Sequence, residues 1–196
     1  MCLHQACHLF NFQQALLAKE EVQRNPATYD PLTGLWLGPA VMNILESKLD
    51  RAAREKSSLS LIMADLDHFK QINDKYDRIT GAAVLRETAR RISRCLRIND
   101  TVGRYGDDEF ICVLPGCGIR NALKLAQSIR AMIEDTPIKT AKDMVCVTIT
   151  LGVAAYDKVK EASGEALIRM AETALCLAKN NGCNRVALIA KEELAG

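Results

Sequence analysis

The chain reads as a mixed α/β domain, a central mixed five-stranded sheet with helices packed on it. Three observations carry that expectation. Segments with apolar residues at helical spacing alternate with short apolar, β-branched runs. Two of those runs flank a tight Gly106-Asp107 turn, which makes at least one strand pair antiparallel. The 196 residues are 48% hydrophobic and 26% charged, the balance of a globular chain that can build one full-sized core.

The elements follow in order. Residues 1–28 form a leader: Leu9, Phe12, Leu16 and Leu17 recur at roughly helical spacing, polar AKEEVQRN follows, and Pro26 stops the helix. Residues 29–190 form the domain and 191–196 a short tail. An amphipathic helix spans 39–56, and Ser58 to Ala64 is a buried strand that runs into polar DLDHFKQINDKYD. A helix over 81–97 precedes two strands, 101–105 and 109–114. Residues 119–134 are helical, and 144–155 (MVCVTITLGVAA) form one long β-branched strand. The helix over 164–180 ends at Asn181-Gly182, a good C-terminal stop, and Arg185 to Ala190 is the last strand.

Composition excludes several classes. No apolar run approaches the roughly 18 residues of a spanning helix. Met1 to Asn11 lacks the basic region and sustained apolar stretch of a signal peptide. The formal net charge of +2 names no partner, and with few aromatics it argues against a nucleic-acid surface. The eight cysteines form no CxxC pair and several sit inside apolar runs, which indicates buried thiols in a reducing, cytoplasmic setting. The segment CLHQACH gathers Cys2, His4, Cys7 and His8, but at a spacing that matches no standard zinc pattern.

Two acidic clusters carry the chemistry. Asp65 and Asp67 lie where a buried strand leaves the sheet; Asp107, Asp108 and Glu109 form a hairpin tip. Strand-end carboxylates beside a hairpin carboxylate suit a hard divalent cation that bridges to phosphate. Either cluster alone reads more readily as a solvated turn rich in Asp. Arg86, Arg90, Arg94 and Arg97 share a helical stripe that reads as a solvated face.

Together the clusters belong to a larger pattern. DPLTGL (30–35), DLDHFKQIND (65–74) and RYGDDEF (104–110) occur in order, followed by LGVA (151–154) and AETALCLAKNNGCNRV (171–186). This set resembles the GGDEF family, the diguanylate cyclase domains of bacterial cyclic-di-GMP signalling. The resemblance implies a fold akin to nucleotide cyclases and polymerase palms. It also implies a reaction in which two domains meet face to face, each holding one GTP, and the two GTP condense to cyclic-di-GMP with release of pyrophosphate. By position, Asp65, Asp108 and the Leu66 carbonyl would bind Mg²⁺ or Mn²⁺, with Glu109 assisting proton removal. Asn73 would meet the guanine edge. His68, Phe69, Lys70, Gly106 and Lys179 would face the triphosphate. Arg97 and Asp100 match the RxxD motif at which many members bind product. An upstream sensor or a downstream phosphodiesterase domain is a common companion.

This copy departs from the family pattern. The second glycine of the signature is Asp107, which a hairpin tolerates but which sets a negative charge opposite a phosphate. At about 4 Å and an effective dielectric near 20, that repulsion is worth roughly 4 kcal/mol before screening. Asp77, Arg78 and Ala82 replace the usual glycine, histidine and guanine-binding aspartate; Cys183 replaces a triphosphate arginine, and Leu37-Gly38 an asparagine-arginine pair. The expectation is a degenerate regulatory module that binds cyclic-di-GMP or GTP with little or no turnover. The alternatives are a slow but genuine cyclase and a scaffold that binds no nucleotide.

Overall fold

The computed structural model describes residues 28–156 and 163–189. The helical leader, the Cys2/His4/Cys7/His8 cluster and the tail lie outside the described residues. In chain order the elements are β1 (Trp36–Leu37), α1 (Gly38–Glu55), β2 (Leu59–Leu66), α2 (Phe69–Lys75), α3 (Arg78–Cys95), β3 (Thr101–Arg104), β4 (Glu109–Pro115), α4 (Ile119–Asp135), β5 (Ile138–Lys139), β6 (Met144–Val145), β7 (Ile149–Tyr156), α5 (Gly164–Asn180) and β8 (Val186–Leu188).

The main sheet has the order β1-β3-β4-β2-β7-β8. Its inner pairs β3/β4, β4/β2 and β2/β7 are antiparallel, whereas the outer pairs β1/β3 and β7/β8 are parallel. The sheet is mixed as expected, with six strands instead of five. The sixth is β1, too short to leave a periodic signal. The long strand expected over 144–155 is also broken: Met144–Val145 pair with Ile138–Lys139 as a separate ribbon, and the main ladder begins at Ile149. β-branched residues run unbroken through the sequence there, so composition could not mark the corner.

Strand β2 is buried along its whole length because helices cover both faces of the sheet. Ile62, Ala64 and Leu66 face one core with Phe110, Cys112 and Leu114 of β4, against α3 and α4. Leu61 and Met63 face the other with Ile111 and Val113, against α1 and α5. At Gly152 a Cβ would run into the backbone of Ala171 and Leu175, so this glycine lets α5 lie directly on β7.

Helix boundaries follow local polar groups. α3 starts at Arg78, earlier than the apolar pattern indicates, because the Asp77 carboxylate accepts from the Thr80 N–H at 2.7 Å and caps it. It stops at Cys95, where Leu96 turns extended. Within the polar run after β2, α2 forms a short extra helix.

Candidate nucleotide and metal site

Asp65 and Glu109 are direct register partners on β2 and β4. The two-residue period of a strand puts Asp65 on the face of Leu61 and Met63, and Glu109 on that of Ile111 and Val113. Both therefore project toward α5. From its last turn Lys179 reaches across, and its Nζ lies 2.6 Å from Asp65 Oδ2. Asp108 closes the group: its carbonyl accepts from the Leu66 N–H at 3.2 Å, which ties the hairpin tip to the end of β2.

Electrostatics couple these groups. Burial pushes the Asp65 carboxyl above its usual range; the Lys179 ammonium opposes the shift, and Asp108 and Asp67 add to it. Burial likewise raises Glu109, helped by Asp65 and partly offset by Lys179. Burial works to lower Lys179, but the Asp65 bond and the charges of Asp65, Asp108 and Glu109 outweigh it, so the amine is held firmly protonated. Asp65, Asp108, Glu109 and Lys179 thus form one acidic cluster with one ammonium in it. The donor set is hard oxygen, the chemistry a divalent cation prefers, although among the described residues no three such side chains converge closely enough to form a ready-made metal site.

Asp67 has a different role from Asp65. Its two oxygens accept from Thr148 Oγ1 (2.7 Å), Thr150 Oγ1 (2.6 Å) and the Asn184 N–H (3.0 Å). To deliver that N–H the chain after α5 takes positive φ at Gly182, Cys183 and Asn184 in succession. The glycine legible in sequence as a helix stop begins this turn. Asp67 is a structural anchor, and no feature of DLD alone separates it from Asp65.

The signature hairpin forms for a reason other than the one expected. Neither Gly106 nor Asp107 has positive φ, so residue 107 needs no left-handed tolerance. The turn is held by Arg104, whose Nε donates to the Gly106 carbonyl (3.2 Å) and Nη2 to the Asp107 carbonyl (2.7 Å). Its Nη1 donates to Asp30 Oδ1 at 3.0 Å, which links the hairpin to the DPLTGL loop. Asp30 also caps that loop by accepting from Thr33. At Gly106 a Cβ would come 2.5 Å from Glu109 Oε2, so a larger residue there would push that carboxylate aside. The Asp107 side chain is exposed at the tip. Sequence reasoning missed Arg104, although its place inside RYGDDEF was the available signal.

The remaining predicted residues lie beside the cluster or away from it. His68 takes a left-handed conformation (φ 58°) that opens α2, with His68 and Lys70 exposed and Phe69 buried. Asn73 on α2 faces α3 so closely that a Cβ at Gly81 would overlap its side-chain oxygen. Next to it, half-buried Ala82 offers no polar group. Cys183 directs its thiol to the Lys179 carbonyl and brings no cation. Arg97 and Asp100 sit apart, at the opposite end of β3 from the hairpin. There Asp100 accepts from the Arg97 N–H at 2.8 Å, forming a compact turn with an exposed guanidinium.

The family profile described as "Diguanylate cyclase, GGDEF domain" matches residues 27–185. The chain belongs to the GGDEF family. Among curated relatives, diguanylate cyclase A of Treponema denticola is 37% identical over 164 residues, 82% of this chain and 44% of that protein. Diguanylate cyclase DosC of Escherichia coli is 35% identical over 170 residues, 86% of this chain and 36% of that protein. The chain therefore spans less than half the length of these relatives. Among solved structures, the GGDEF domain of DgcB from Caulobacter crescentus in complex with c-di-GMP superposes with a TM-score of 0.78 at 28% identity, covering 82% of this chain and 92% of that one. The GGDEF domain of PA1120 (TpbB or YfiN) from Pseudomonas aeruginosa gives 0.80 at 30%, covering 85% and 96%. Among the described residues of this GGDEF domain, no helix is long and apolar enough to cross a membrane.

Proposed function

We propose that this GGDEF domain is a nucleotide-responsive regulatory module of cyclic-di-GMP signalling, with little or no cyclase turnover. The observation that carries the proposal is the contrast at the hairpin. Arg104 holds the turn and the acidic cluster is intact, yet an exposed carboxylate, Asp107, stands at the tip where a phosphate must approach. The change spares the fold and burdens the chemistry.

In this reading Asp65 and Asp108, with the Leu66 carbonyl, would hold Mg²⁺ or Mn²⁺ with GTP. Such a cation, when bound, screens the triphosphate charge. The chain's own contribution is positioning: Lys179, Lys70, Gly106 and the backbone at His68 and Phe69 would receive the phosphates, Asn73 would meet the base, and Glu109 would assist proton removal where any turnover is retained. Ala82 leaves one edge of a guanine without a partner, at a cost of about 1–3 kcal/mol. Arg97 and Asp100 form a separate site for cyclic-di-GMP, in which an exposed guanidinium forks to or stacks on a guanine. The module acts in the cytoplasm, with residues 1–28 as a leader or linker and an upstream sensor or a downstream phosphodiesterase domain as its companion, and a homodimer is the state that any turnover would require.

Titration of the chain with cyclic-di-GMP and with GTP plus Mg²⁺ tests this proposal. Binding of cyclic-di-GMP that Arg97→Ala abolishes supports it; absence of binding by either nucleotide leaves a scaffold. The intact cluster favours one second reading, a slow cyclase. In that case Asp107→Gly, alone or with Ala82→Asp, should raise product formation by an order of magnitude or more.

A further inference from the structure

We infer that the Lys179 side chain is a displaceable occupant of the acidic cluster. Its ammonium neutralises the carboxylates when no metal is bound, and it is released toward the accompanying anion when metal loads. The inference rests on the reading of Asp65 and Asp108 as metal ligands.

Three observations meet at this residue. First, the ammonium lies 2.6 Å from Asp65 Oδ2, on the carboxylate that a cation would need. Second, Asp65 is the cross-strand partner of Glu109, and the Asp108 carbonyl accepts from the next residue, Leu66, so the ammonium on Asp65 stands where both acidic segments meet. Third, its backbone is fixed while its side chain is not. The Lys179 carbonyl accepts from Gly182 N–H, and the turn that follows is fastened to β2 through Asn184 and Asp67. The side chain keeps 38% of its surface exposed, which leaves the long stem room to swing.

Charge makes the two occupants competitors. A divalent ion on Asp65 and an ammonium hydrogen-bonded to it repel one another, so metal binding must break the ion pair. A freed Lys179 at the mouth of the site then favours a polyphosphate. Metal alone is therefore bound weakly, and metal with nucleotide strongly. The coupling is reciprocal, since whatever draws the ammonium away raises metal affinity by the same factor.

Binding of Mn²⁺ to the full chain, followed by electron paramagnetic resonance of the free ion, tests this directly. Without nucleotide, Lys179→Met should bind Mn²⁺ about tenfold more tightly than wild type, within the usual range of coupling between sites. Lys179→Gln provides a second variant should the first fold poorly. Lys75→Met removes the same charge from an exposed lysine at the other end of α2, outside the proposed site, and should change affinity by no more than about twofold, as expected of a screened surface charge. GTP should raise the Mn²⁺ affinity of wild type by a larger factor than that of the Lys179 variants. Equal or weaker Mn²⁺ binding by the Lys179 variants, or an equal gain in Lys75→Met, overturns the inference. If no protein binds Mn²⁺ even with GTP, the metal-ligand reading falls and the inference with it.

Discussion

Asp65 and Asp67 stand two positions apart at the end of one strand and have opposite energetic characters. Asp67 gives both oxygens to hydroxyls and a backbone N–H, with Thr150 fully buried beside it. Removing it orphans these donors, so Asp67→Ala should cost about 2–4 kcal/mol in chemical denaturation. Asp65 is buried among other carboxylates, and burial outweighs the help of Lys179. Asp65→Asn should therefore change stability by less than about 1 kcal/mol, since the cost of burying the carboxylate offsets its ion pair and the Lys179 left behind is partly exposed to water. A large loss in Asp65→Asn with none in Asp67→Ala would reverse these assignments. Sequence placed both residues at the right end of the right strand but could not divide them. What separates them is Thr148, Thr150 and Asn184, which are brought close only by β7 and the turn after α5.

At the scale of elements, a buried guanidinium joins α3 to the end of α4. Arg91 donates to the carbonyls of Thr136 (2.5 Å) and Pro137 (3.3 Å), and its Nε to Glu87 at 2.8 Å. The hydrogen bond from Arg90, and then that from Arg91, hold the Glu87 carboxyl at about 2 instead of 4.5, against the effect of burial. A carboxylate with a lowered folded-state pKa contributes stability above its unfolded value and loses it as pH falls through the folded one. Glu87→Gln should therefore be less stable at neutral pH, and its stability should fall less steeply between about pH 4.5 and 2 than that of wild type. Parallel acid-denaturation curves for the two proteins would contradict this. Helix periodicity revealed α1, α3, α4 and α5 because each has one apolar stripe over four or more turns. It missed α2 and β1, which are short, and the corner before β7, where β-branched residues continue through a change of partner. Arg91 was hidden within an arginine-rich helix whose exposed members, Arg86, Arg90 and Arg94, carry the same letter.

At the scale of the molecule, the topology separates two candidate sites along β3. One end carries the hairpin and the acidic cluster, gathered from β2, β4 and α5; the other carries Arg97 and Asp100. The motifs made both ends legible before any fold was drawn, because each is a short contiguous run. The cluster's ammonium was legible only as a phosphate ligand, since Lys179 lies more than a hundred residues from Asp65 in sequence. Family membership fixes the fold and the signalling context, and Asp107, Ala82 and Cys183 separate this copy from the family pattern at positions proposed to meet nucleotide. The most direct measurement is chromatographic detection of cyclic-di-GMP after long incubation of concentrated protein with GTP and Mg²⁺, then Mn²⁺, alongside an Asp65→Ala/Asp108→Ala control. The account predicts no product above the control, together with retained nucleotide binding. Steady product formation by wild type that the control abolishes would contradict it and establish a working cyclase.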